Sequence, residues 1–162
     1  MTKLSTIILG GVTAGTLDIL SAFASYTSQG ATVEGILKYV ASGLVGPAAM
    51  QGGIGMAWLG LLIHFALTTI MAAVFMYAAM KKNVLTTHAW LTGGIYGVIT
   101  WIVMVYIAVP LSAVGGWKLP TGWNIVSGLL AHIFYVGVPI AHITRFGLRD
   151  VTKSVLSQNA VN

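Results

Sequence analysis

Asp18, His64 and His132 are ionisable side chains set within long apolar runs. A formal charge there costs at least about 2.5–3.5 kcal/mol at the centre of a membrane helix. Such residues therefore face protein or water and mark candidate sites. A carboxylate beside two imidazoles can do four things. It can accept from the ring N–H groups in a network that fixes helix register and relieves burial. It can handle protons or bind an ion, because histidine titrates near neutrality. His64 and His132 can be axial ligands of haem b from two helices. Or all three can hold zinc or iron. No arginine lies within the apolar runs to meet haem propionates, and the spacing forms no local metal motif. No cofactor is therefore expected, with haem b as the alternative.

Helical spacing puts each of these residues on a stripe of small or semi-polar neighbours. Gly11, Gly15, Asp18 and Ala22 share one face, and Ala57, His64, Thr68, Met71 and Phe75 another. Gly128, His132, Tyr135, Pro139 and His142 recur at 4, 3, 4, 3, while Gly93, Gly97, Thr100 and Met104 line a further stripe. Small residues at this spacing let helices approach closely. The candidate cluster is Asp18, His64, His132, Tyr135 and Thr68. Gln51 and Asn124, with Thr121, fall at one mouth as helix caps or entry groups. His88 is read as interfacial, and His142 as meeting headgroups or a helix end. His132 and His142 are about 15 Å apart along a helix and cannot share an ion. Pro139 is expected to kink its helix beside His132.

No catalytic residues are assigned. No serine or threonine is tied by spacing to a base and an acid. No lysine lies within a span to form a Schiff base, and no glycine-rich phosphate loop follows a strand. The reading favours a protein that is not an enzyme.

The elements that must position these residues follow from composition. Of 162 residues, 57% are hydrophobic and 7% charged. A soluble domain carries roughly 25% charged residues, so this chain cannot cover a water-facing surface. The net charge of +5 does not point to nucleic acid, because the cations sit at the ends of apolar runs. The absence of cysteine excludes disulfides and thiolate chemistry.

Hydrocarbon about 30 Å thick needs about 20 apolar residues per helix. Four runs qualify, at about 4–26, 54–80, 89–109 and 124–143. The fold class is all-α, a polytopic membrane protein with four transmembrane helices and a short outer interfacial helix at about 32–44. Thr32 is its expected N-cap, and Glu34 and Lys38 form an i, i+4 pair. Asp18 argues against reading the first run as a cleaved signal sequence. Residues 1–146 form the membrane domain and 147–162 a frayed cytoplasmic tail. Lys3, Lys81, Lys82, Arg145, Arg149 and Lys153 would lie on one side, and Lys38 and Lys118 on the other. This imbalance favours both termini in the cytoplasm.

The residues around the two central histidines resemble the YagU-like family of small bacterial inner-membrane proteins. The landmarks are Trp58-Leu59-Gly60-Leu61-Leu62-Ile63-His64-Phe65, then Leu91-Thr92-Gly93-Gly94, Pro110-Leu111, Trp123-Asn124 and Gly128-Leu129-Leu130-Ala131-His132. They cover roughly residues 56–145. The resemblance implies a bacterial inner-membrane helical protein with His64, Pro110 and His132 at family positions, and it supplies no mechanism. The first outer loop is shorter than in the family, and Asp18 has no assigned family position.

The expected function is binding or transport of a small solute, ion or proton at the Asp/His cluster. A haem-binding electron-transfer or accessory subunit and a structural or lipid-binding subunit are the alternatives. The expected partners are the lipid bilayer and a second copy or a larger membrane complex.

Overall fold

A computed structural model describes residues 1–159, with side chains as far as residue 149. Helix α1 (Lys3–Thr27) starts where the Thr2 side chain accepts from the Ser5 N–H. Helix α2 (Val33–Val45) starts in the same way on Thr32, which accepts from Gly35 N–H. Both threonines satisfy a donor that the first helical turn leaves free. Glu34 and Lys38 pair at 2.6 Å on the polar face of α2. Gly46, with φ of +83°, ends α2 in a conformation that glycine adopts without strain. A 3₁₀ turn (Pro47–Gln51) then leads into α3 (Ile54–Lys81). The single turn α4 (Val84–Thr87) joins it to α5 (Ala89–Leu111), and α6 occupies residues 123–159. No strand occurs among the described residues.

Among the described residues four helices are long and apolar enough to cross a membrane: Lys3–Thr27, Ile54–Lys81, Ala89–Leu111 and Trp123–Arg149. Their outward faces carry exposed Leu20, Leu62, Ile95 and Phe134. Contiguous apolar surface of this kind calls for a non-aqueous neighbour.

The core is built from small side chains. Ala14, Ala72, Ala79, Ala89 and Ala141 surround Phe75, Val136 and Ile140. Helix α1 lies against α3 and α6, and α5 lies against α6. Glycine sets the spacing at two crossings. A Cβ on Gly15 would lie 2.7 Å from the Phe65 ring and Thr68 Oγ1, and one on Gly93 2.8 Å from Val138 Cα. The glycine stripes of α1 and α5 are thus contact faces.

Three features differ from the sequence-based expectation. First, α2 docks on α3, with Ala41 and Ser42 buried and Gly60 of α3 directly beneath the Leu37 carbonyl. Gly60 is about 9 Å inside the end of α3, so α2 reaches alongside that helix. Second, Pro139 does not break α6, whereas α5 does end at Leu111, one residue past Pro110. Residues Met104–Ala108 before Pro110 and His132–Gly137 before Pro139 form π-helical turns. There Val109 N–H donates to Met104 and Val138 N–H to Ile133, five residues back rather than four. Proline cannot bond the carbonyl four residues before it, and the widened turn lets α6 continue. Third, α6 runs through the expected tail as far as Asn159. The end of that tail, residues 160–162, lies outside the described residues.

Candidate functional site

Asp18 is about 14 Å from the C-terminal end of α1, and His132 about 14 Å from the N-terminal end of α6. These ends adjoin, so the two residues meet: His132 Nδ1 lies 4.0 Å from Asp18 Oδ1, and each side chain is 18% exposed. His132 Nδ1–H donates to the Gly128 carbonyl at 3.0 Å, one turn back in its own helix. With that nitrogen protonated, Nε2 of the neutral ring is an acceptor.

His64 is placed differently. Its Nε2–H donates to the Gly15 carbonyl at 2.9 Å, across the α1–α3 contact. The bond forms because Gly15 brings the two backbones close. Thr68, one turn on, is buried and donates to the Phe65 carbonyl of its own helix at 3.1 Å. His64 therefore ties α3 to α1 about a turn from Asp18, while Thr68 bonds within α3 beside the same contact. They do not line the groove that Asp18 and His132 share.

That groove, about 630 Å³, lies between α1 and the first half of α6. Only these two helices line it, so it lies on the side of the bundle rather than along its axis. Asp18, His132 and Tyr135 line it, with Ser21, Ser25 and Ser127. The serines leave the carboxylate unserved. Ser21 donates to the Asp18 backbone carbonyl at 2.8 Å, and Ser25 reaches Ser127 at 3.5 Å. His132 is the one ion-pair partner of Asp18 among the described residues, and it stands beyond hydrogen-bond length.

Tyr135 lies on the groove and is exposed. Asn124 accepts from Gln29 Nε2 at 3.0 Å, which closes the α1–α6 contact at that end. Gln51 is exposed at the end of the 3₁₀ turn between α2 and α3 and does not line the groove. The two expected mouth residues thus lie in different parts of the fold. His88 is exposed at the start of α5. The His142 and Trp90 ring centroids lie 4.8 Å apart in a T-shaped arrangement, and among the described residues the buried His142 Nε2 has no hydrogen-bond partner. Among the described residues no group of three or more His, Asp or Glu side chains could hold a metal.

The serines of the groove were not singled out from the sequence, and neither Tyr26 nor Trp123 was read there as lining a site. A signal for the serines exists: Asp18, Ser21, Ser25 and Ser28 recur at 3, 4, 3 on α1, a polar stripe as regular as the glycine stripe beside it.

The two histidines should respond differently to substitution. His64→Phe is expected to lower stability by only about 1 kcal/mol, the scale of a hydrogen bond between membrane helices. The Gly15 carbonyl keeps its intrahelical partner, and the ring volume is retained. Solute binding at the groove should persist in this variant. Unfolding in detergent, read beside binding, checks both parts.

No protein-family model matches the chain, and no curated protein or solved structure is significantly similar to it.

Proposed function

We propose that the protein is a non-enzymatic integral membrane protein that binds a small cationic solute or a proton in the α1–α6 groove. The observation that carries this is the Asp18 carboxylate. It lies well inside a span-length helix, opens into a groove, and has no hydrogen-bond donor within reach among the described residues. A carboxylate so placed needs a donor or a positive charge. His132, when its ring is neutral, offers an acceptor at Nε2. Both residues thus suit a ligand that brings hydrogens or positive charge. The exposed rings of Tyr26, Trp123 and Tyr135 add faces that attract cations.

The direct test is uptake into liposomes containing the purified chain, with protons and small ammonium ions as probes. Flux that requires Asp18 supports the reading. Equal flux through wild type and Asp18→Asn, with no binding by either, overturns it.

Phe75, Val136 and Ile140 are packed in the buried core between the helices. A path across the membrane would therefore run between copies, and we read the working unit as a homo-oligomer. The apolar outer faces and the basic residues at one end support a bacterial inner-membrane location with both termini in the cytoplasm. The landmarks at His64, Pro110 and His132 support placing the chain with the YagU-like proteins. The absence of cysteine makes orientation simple to test. An impermeant maleimide should label Lys118→Cys in intact cells and Lys82→Cys only after lysis. The opposite pattern would invert the topology.

A further inference from the structure

We propose that the basic end of the bundle binds the phosphate headgroup of an anionic phospholipid. A cleft of about 820 Å³ opens there between the start of α1, the α3–α4 turn and α6. Lys3, Arg145 and Arg149 line it, and among the described side chains, which end at Arg149, no carboxylate does. The volume suits a small-molecule site. Asn83 adds a side-chain amide. The Thr86 and Thr87 hydroxyls are turned onto the Asn83 carbonyl at 3.0 and 3.1 Å, so the cations and the amide are the donors that carry the site.

Membrane topology alone requires only that cations lie on one side. It does not require that they converge. Here residues from opposite ends of the chain share one cleft because α1 and α6 touch below it. Gly147 leaves room for the buried Thr6 side chain, and a Cβ on Gly10 would lie 3.8 Å from Ile143. The lining also includes Ala79, Met80 and Leu148. Cations beside an apolar wall match a headgroup with its acyl chains better than a free anion. Basic pockets between membrane helices on the cytoplasmic side recognise such headgroups, and guanidinium groups match phosphate geometry. The proposal rests on membrane embedding and is independent of the α1–α6 groove.

The test is native mass spectrometry of the purified full chain with phosphatidylglycerol, phosphatidylcholine or inorganic phosphate. Phosphatidylglycerol should be retained over phosphatidylcholine. Arg145→Gln and Arg149→Gln should each lower its retention about five-fold, while Arg149→Lys keeps most of it. Lys118→Gln, at the opposite end, should change nothing. Arg149 is exposed, so its replacement carries the test alone if Arg145→Gln does not fold. Equal retention of the two lipids overturns the site. So does an equal loss from Lys118→Gln, which would indicate general surface charge. Binding of inorganic phosphate without phosphatidylglycerol selectivity overturns the lipid assignment. These outcomes are read without any flux measurement, so they do not depend on the fate of Asp18.

Discussion

Gly97→Ala is expected to destabilise the protein by about 3 kcal/mol or more, at or beyond the upper end of ordinary overpacking. The added Cβ would fall against the His132 carbonyl and 2.5 Å from Ile133 Cα. Both are backbone atoms, so no rotamer change relieves the clash and α5 must move away from α6. Gly137 faces Gly93 and Gly97 from the other side of the same crossing, which leaves no slack to absorb the shift. Gly94→Ala is the internal control. Its Cβ would meet only Ile133 Cγ2, at 4.0 Å. Relief of glycine's helix penalty should make that variant neutral or up to about 1 kcal/mol more stable. Unfolding of both variants in detergent decides the matter, and equal stability would mean that the α5–α6 crossing is not backbone-to-backbone. Because the displaced carbonyl belongs to His132, Gly97→Ala should also weaken solute binding.

Asp18→Asn is expected to weaken cation binding at least about thirty-fold, as losing one member of a desolvated charge pair costs about 2–5 kcal/mol. The amide keeps the shape of the carboxylate and removes its charge. Stability should stay level or rise, since a neutral side chain is cheaper at that depth. The combination separates a binding role from a structural one. A register-fixing carboxylate would lose stability on substitution, whereas a ligand-binding one loses affinity alone. His132→Gln should have a smaller effect on affinity, because Asp18 remains. Isothermal titration and thermal unfolding on the same preparations provide both readouts.

Much of the architecture was legible in the order of residues. Runs at 4–26, 54–80 and 89–109 correspond to Lys3–Thr27, Ile54–Lys81 and Ala89–Leu111. Charged, proline- or glycine-rich segments punctuate apolar stretches too long for anything but helices. The glycines of α1 and α5 announced the close contacts they make. The Thr32 cap and the Glu34–Lys38 pair were readable because both are local.

The stripe through His132 was readable in this way only over its first three residues, since Gly128, His132 and Tyr135 line one groove. Gly128, His132, Tyr135, Pro139 and His142 form one face only if α6 is a regular helix. Its π turn adds one residue, and each residue of an α-helix advances about 100° around the axis. The face therefore shifts within His132–Gly137. Tyr135 comes out exposed, and Val136, Gly137, Ile140 and Ala141 are buried instead.

By itself the sequence determined an all-helical chain with four helices long and apolar enough to cross a membrane, the positions of the polar residues along them and the faces that could pack. Hydrophobic length and helical periodicity are properties of one segment at a time. Only the tertiary structure decided which face meets which neighbour. Asp18, His64 and His132 stand at similar depth, yet the α1–α3 contact gives His64 to the Gly15 carbonyl, and the α1–α6 groove gives His132 to Asp18. Depth is set by position along a helix. Partnership is set by the order of helices around the bundle, which residue spacing within one segment does not encode.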